Sequence, residues 1–252
     1  MSSHRHLLGI AELSRDDVLG LLAAAERWLD MPRDEVRKAR VLHGRTIVNL
    51  FFESSTRTRA SFEVAGKRLG ADVVQVSPQT SSVTKGETLL DTVRNLESLR
   101  ADAIVIRHPA SGAPHFVARH TVASIVNAGD GSHEHPTQAL LDALTIWRRR
   151  RDQGRERSFE GLVVAICGDI LHSRVARSNA LLLGALGAEV RLCGPRTLMP
   201  RSVESLGPTA RSVARIEDAV SGADVVMMLR IQTERLANAM LASTREYART
   251  FG

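Results

Sequence analysis

TIVNLFFESSTRTRASFEVAGKRLG, residues 46–70, is the stretch on which the fold turns. Residues 46–52 are apolar and β-branched like a buried strand, and over 58–69 apolar residues return at helical spacing until Gly70 stops the run. Between the two stand Ser55, Thr56, Arg57, Thr58 and Arg59, with no glycine and no Walker lysine among them. A helix that starts there presents free backbone N–H groups and the positive end of its dipole. Hydroxyls of Ser55, Thr56 and Thr58 add donors, and Arg57 can clamp a phosphate through its fork of N–H bonds. The turn therefore predicts an anion site directly after a strand.

Upstream, Ser14 is placed to cap a helix with Asp17 three residues on, and Val18, Leu21, Leu22, Ala25, Trp28 and Leu29 follow at helical spacing. A polar link leads from there to the strand. Downstream the pattern predicts a strand over 72–76, a Ser/Thr-rich loop, a helix over 87–99, and strands over 103–107 and 124–127. A helix over 136–150 follows, with Pro136 suited to its first turn. Residues 151–160 are charged and aperiodic, which marks a boundary. Beyond it come a strand over 162–167, a helix over 173–186, a strand over 189–193, a short helix near 216–220 and a buried strand over 224–229. Strands that alternate with helices imply parallel sheets with right-handed crossovers. The class is α/β, in two domains, each a parallel sheet flanked by helices.

The chain has 252 residues, 43% hydrophobic and 25% charged, enough for one large core or two modest ones. It contains no apolar run long enough for a bilayer, and its first residues lack the apolar stretch of a secretory signal, so a cytoplasmic protein without membrane contact is expected. Cys167 and Cys193 each sit in an apolar strand pattern, which predicts buried free thiols rather than a disulfide framework or a zinc cluster. The net charge is +6, with an arginine run at 148–151. Aromatics at 4% are too few for a base-stacking surface, and the arginines complete a helix whose negative end suits them, so nucleic acid is not the expected partner.

In open parallel sheets ligands bind outside the carboxyl ends of the strands, and the chemistry-bearing residues fall there. Arg107-His108-Pro109 ends one strand. Gly129 and Gly131 permit a tight turn after the next, followed by His133, His135, Pro136, Thr137 and Gln138. His135 and Gln138, three apart at a helix mouth, can both donate to a carbonyl oxygen that gains charge. Zinc on His133 and His135 is the rival, without a third ligand at a recognisable spacing. Lys85-Gly86, in a polar loop with Ser81, suits a lid over an anion or an ordinary surface lysine. Cys167-Gly168-Asp169 and His172-Ser173-Arg174 follow the first strand of the second block, without the G-x-G-x-x-G spacing of a dinucleotide site. Arg174 and Arg230, at two strand exits, can hold a dicarboxylate by paired forks.

Phe52-Glu53-Ser54-Ser55-Thr56-Arg57-Thr58-Arg59, Arg107-His108-Pro109 and His135-Pro136-Thr137-Gln138 together resemble, in order, the carbamoyl-phosphate elements of the carbamoyltransferases. The resemblance covers nearly the whole chain. Lys85-Gly86-Glu87-Thr88, His172-Ser173-Arg174-Val175-Ala176 and Arg230-Ile231-Gln232 resemble the branch of that family that uses aspartate rather than ornithine. The resemblance implies the carbamoyltransferase fold, with residues 1–150 binding carbamoyl phosphate and 151–252 binding aspartate. It assigns the phosphate to Ser55, Thr56, Arg57, Thr58 and Arg107, and the carbamoyl oxygen to His135, Gln138 and Thr58. Aspartate falls to Lys85, Arg174, Arg230 and Gln232, with Ser81 and Lys85 donated by a neighbouring subunit of a homotrimer. No metal or cofactor is implied; a regulatory chain or dihydroorotase is a partner that the family admits. The alternatives are a non-catalytic phosphate-binding homologue and an ornithine-type enzyme.

Members of that family continue past the position of Gly252 with a further strand, a His-Pro-x-Pro loop and a final helix. The second domain is therefore expected to be incomplete at its C-terminal side, to lack a strand and to leave apolar surface open there. The intact site positions favour a fragment of a longer reading frame over a natural truncation.

Overall fold

The computed structural model describes residues 4–77 and 87–230. The chain forms two compact units, Met1–Thr137 and Gln138–Gly252. In sequence the charged stretch after Arg150 had suggested the line between them.

The first unit contains helices α1 (Arg15–Asp30), α2 (Arg33–Ala39), α3 (Thr56–Arg68), α4 (Leu89–Ser98) and α5 (Ala113–Ala118). Its strands are β1 (Thr46–Phe51), β2 (Asp72–Val76), β3 (Ala103–His108) and β4 (Ser124–Asp130), in the parallel order β2-β1-β3-β4. Ser14 and Asp17 form the expected capping box on α1, and Thr88 with Asp91 builds a second one on α4. Because side chains alternate across a strand, Val48, Leu50, Ile104, Ile106 and Ile125 share one face. There they form a core with Val93 and Leu96 of α4 and Val117 of α5. Phe51, Val105 and Ala128 occupy the opposite pleat with Phe62 of α3. Each large aliphatic side chain buried this way contributes roughly 1.5–3 kcal/mol. The N-terminal segment adds an edge: Leu7 pairs with Val126, exchanging backbone bonds with Ile125 and Asn127.

The second unit holds most of α6 (Pro136–Asp152), then β5 (Val163–Cys167), α7 (Arg174–Ala185), β6 (Glu189–Cys193), β7 (Ala210–Val213), α8 (Ile216–Val220) and β8 (Val225–Met228). Its sheet is also parallel, ordered β7-β6-β5-β8. Cys167 and Cys193 are register partners on β5 and β6, buried with Ala165 and Ala219, and both are free thiols as expected. Burial is the largest cause that raises both thiols, with Cys193 pushed up to about 11, so neither is a thiolate near neutral pH.

Several expectations need correction. The structure begins α3 at Thr56 rather than at residue 58, which brings Arg57 into the first helical turn. β4 does not turn after Asn127; it runs on through Gly129 to Asp130. Elements α2, α5 and β7 lacked a sequence signal because they are seven, six and four residues long, too short to establish a period. The strand over 224–229 is half-buried rather than buried: Val226 and Met228 are 46% and 60% exposed on an edge strand.

Sheet order fixes where ligands can bind. In the first sheet β1 has β2 on one side and β3 on the other, so the strand order reverses there. The crevice of a doubly wound sheet lies outside the carboxyl ends at such a point. The second sheet reverses between β5 and β8. Gly168 stands there at φ +131°, where an added Cβ would strike Leu229, while the Leu229 N–H bonds the Cys167 carbonyl. Only glycine allows those two strand ends to close so tightly.

Candidate functional site

The residues of the anion turn follow β1 directly. Ser55 is the N-cap of α3 and makes no side-chain cap bond, and the first turn contains no acidic residue. The helix start thus keeps its N–H groups and positive dipole end for an outside anion. Thr56 and Arg57 are exposed and Thr58 is half-buried. Arg59 turns aside, its Nη1 donating to Ser77 Oγ at 3.3 Å.

Arg107 pairs in register with Phe51 at the same end of the neighbouring strand. Its Nε donates to Glu53 Oε2 at 3.1 Å and its Nη1 to the Ala128 carbonyl at 3.4 Å. The Glu53 carboxylate, to which no role was assigned from local pattern, thereby holds a half-buried guanidinium at the β1–β3 switch point. His108 packs edge-on to Phe52 and accepts the Ala110 N–H through Nδ1 at 2.9 Å. Burial, opposed by the charges of Glu53 and Asp130, lowers its pKa and favours the neutral ring.

The segment 127–135 divides between scaffold and site. Asp130 is fully buried and accepts from the Gly112 N–H (2.6 Å), Asn127 Nδ2 (2.9 Å), the Glu134 N–H (3.1 Å) and His133 Nδ1 (3.1 Å). Glu134, 2% exposed, accepts the Ile10 N–H at 2.8 Å and pins the N-terminal segment. Gly131 lies at φ +47°, and a Cβ there would meet Ser111 and the Pro109 carbonyl, so the turn admits only glycine. His135 is buried at the mouth of α6 with Nδ1 3.4 Å from Thr137 Oγ1. The structure groups His133 with His115 and Asp130, not with His135, which removes the zinc pair considered from sequence.

In the second unit, Gln138 Nε2 donates to Asp142 Oδ1 and Asn179 Nδ2 to Asp142 Oδ2, both at 2.9 Å. Burial raises the Asp142 pKa against the lowering effect of those two bonds. Asp142 is a positioning group that sequence reading missed, since an aspartate nearly two turns into a helix looks like any solvated one. Asp142→Ala leaves two amides without their acceptor and is expected to lower stability by about 2 kcal/mol. Urea unfolding measures it, and a loss below about 0.5 kcal/mol would remove Asp142 from that role.

Ser173 caps α7, its Oγ accepting the Ala176 N–H at 3.1 Å, and Arg174 is buried behind it at 4% exposure. Asp169, wholly buried at the β5 exit, accepts both the His172 N–H (3.1 Å) and Nδ1 (2.9 Å). Arg230 follows β8 and is exposed. Both arginines therefore leave the strands that flank the second switch point. Ser81, Lys85 and Gln232 lie outside the described residues.

Residues 5–148 match the family model of the aspartate/ornithine carbamoyltransferase carbamoyl-P binding domain. The chain is 64% identical over 249 residues to the aspartate carbamoyltransferase catalytic subunit of Sorangium cellulosum, covering 99% of this chain and 75% of the relative. Identity to that of Syntrophotalea carbinolica is 56% over 250 residues, with 99% and 77% covered. Among solved structures, Trypanosoma cruzi aspartate transcarbamoylase in complex with carbamoyl phosphate and aspartate superposes with a TM-score of 0.82 at 32% identity, over 97% of this chain and 77% of that one. The catalytic subunit of M. jannaschii aspartate transcarbamoylase gives 0.80 at 34%, over 98% and 79%. With two parallel sheets in this order and the anion turn at the first switch point, the chain belongs to the aspartate/ornithine carbamoyltransferase family.

Proposed function

We propose that the chain transfers the carbamoyl group of carbamoyl phosphate to the α-amine of L-aspartate, giving N-carbamoyl-L-aspartate and phosphate, an early step of pyrimidine biosynthesis. One observation carries the reading: an open helix N-terminus follows β1 beside Arg107 at the end of β3, in a chain 64% identical to an aspartate carbamoyltransferase catalytic subunit.

Ser55, Thr56, Arg57, Thr58 and Arg107 hold the phosphate. His135, Thr58 and Gln138 address the carbamoyl group; Gln138, with one Nε2 hydrogen on Asp142, keeps the other and its Oε1 for this. Arg174, Arg230, Gln232 and Lys85 take the aspartate carboxylates. The amine lone pair attacks the carbamoyl carbon, and the C=O electron pair moves onto oxygen, where His135 and Thr58 stabilise it. The pair returns as the C–O bond to phosphate breaks, and the departing phosphate takes up the proton that the amine loses. Carbamoyl phosphate is already an activated donor, so the reaction requires no metal, redox cofactor or covalent enzyme intermediate; orientation and charge stabilisation suffice.

In this reading Ser81 and Lys85 form a lid supplied by the neighbouring subunit of a homotrimer, and the protein acts in the cytoplasm. A regulatory chain or dihydroorotase is the further partner the family admits. Among the described residues no helix is long and apolar enough to cross a membrane.

The test is formation of carbamoyl aspartate and phosphate by the purified chain, run in parallel with L-ornithine. Product from aspartate alone is expected. Product from ornithine alone would move the chain to the other branch of the family. Binding of N-(phosphonacetyl)-L-aspartic acid without turnover would leave a phosphate-binding homologue in place of an enzyme.

A further inference from the structure

His115, Asp130 and His133 are given no part in catalysis, and all three lie in the first unit. One ring nitrogen of each histidine and one Asp130 oxygen fall within 4.8 Å of one another. His133 Nδ1 stands 3.1 Å from Asp130 Oδ2. Two donor atoms on one tetrahedral zinc ion, each about 2.0–2.1 Å from it, are themselves about 3.3 Å apart. The His115 and His133 rings are T-shaped with centroids 5.5 Å apart. Two imidazoles on a single tetrahedral ion place their centroids about 5 Å apart at the same bond lengths.

The second observation concerns His115 itself. Its Nε2 lies 2.6 Å from Glu12 Oε1, while its Nδ1 is enclosed and meets no hydrogen-bond partner. Metal-bound histidines commonly donate the non-ligating N–H to a carboxylate, which fixes the tautomer and leaves the other lone pair for the ion. His115 has that arrangement before any ion is added.

We infer that His115 Nδ1, His133 Nδ1 and the Asp130 carboxylate bind one divalent transition-metal ion of the zinc type, with water completing the tetrahedron and Glu12 orienting His115. Two imidazoles and one carboxylate favour Zn²⁺, Co²⁺ or Ni²⁺ over Mg²⁺. The ion takes the Asp130 lone pair that now faces His133, so the bonds from Gly112, Asn127 and Glu134 persist. With the ion on Nδ1, the proton of the neutral His133 ring resides on Nε2. The ion ties α5 to the end of β4 and to His133, two residues before His135, and so acts as a clasp on the segment that carries that histidine. In sequence His115 gave no hint of this role, because it lies 18 residues before His133 in a helix of six.

The experiment titrates the chelator-stripped full chain with Zn²⁺ by calorimetry and with Co²⁺ by visible absorption. One ion per chain is expected, with the intense Co²⁺ bands of a tetrahedral site and no response to Mg²⁺ at the same concentration. His115→Gln and His133→Gln should each weaken binding at least tenfold, and Glu12→Gln by about tenfold, as for an outer-shell partner. His43→Gln, at an exposed histidine bonded to Arg40, should leave it unchanged. Circular dichroism checks each variant; if either histidine variant fails to fold, Glu12→Gln, at an exposed residue, still decides. Sub-stoichiometric binding, an affinity indifferent to Glu12→Gln and His115→Gln, or equal loss in His43→Gln would overturn the site.

Discussion

Arg57→Ala should reduce formation of carbamoyl aspartate by about 10²–10³-fold while the chain stays folded. The side chain is exposed in the first turn of α3, so its removal leaves the core untouched. On the proposed function, what goes is the fork that neutralises a leaving phosphate, a charge larger in the transition state than in bound carbamoyl phosphate, so the loss falls on turnover more than on KM. Arg57→Lys keeps the charge but not the two parallel N–H bonds and should recover only part of the rate. His135→Ala removes the donor proposed for the carbamoyl oxygen and should cost a comparable factor, though its burial adds some loss of stability. Steady-state kinetics with aspartate saturating, alongside circular dichroism, measures all three. Turnover of Arg57→Ala within about threefold of the parent would remove Arg57 from the site.

The alternation of strands and helices was legible because each long element shows its own period and Gly70 punctuates the first helix. The anion turn was legible because five consecutive polar residues at a strand exit admit few other readings. Arg107 was visible as a cation at a strand end, but the Glu53 carboxylate that aims it was not, since that pairing depends on β1 and β3 lying side by side. The same reason hid Asp142. Its partner Asn179 is 37 residues away in sequence, and only the packing of α6 against α7 brings the two together. Asn127 to His135 looked like a ligand-facing loop because glycines and polar residues mark both a loop and a strand end. The inward turn of Asn127, Asp130 and Glu134 depends on the Gly112 and Ile10 N–H donors and on the Leu8 carbonyl that accepts from Asn127, which local pattern cannot supply.

The scaffold carboxylate should matter to stability as much as Arg57 matters to rate. Asp130→Asn replaces an acceptor of four bonds by an amide whose own N–H₂ must face the Gly112 or Glu134 N–H. Donor facing donor in a fully buried position leaves groups unsatisfied at about 1–3 kcal/mol each, so a loss of about 3 kcal/mol at pH 7 is expected. Burial alone would raise the Asp130 pKa, but the bonds from His133, Asn127, Gly112 and Glu134 together outweigh it and hold the carboxyl below its usual range. A carboxylate with a depressed folded pKa contributes stability above its unfolded value near pH 3.9, and that contribution fades as pH falls through the folded pKa. The gap between parent and Asp130→Asn should therefore be widest near neutrality and narrow below about pH 4. Urea unfolding at a series of pH values, with chelator present so that metal binding does not contribute, reads it directly. A gap that stays constant with pH would show that the four donors do not depend on an ionised Asp130.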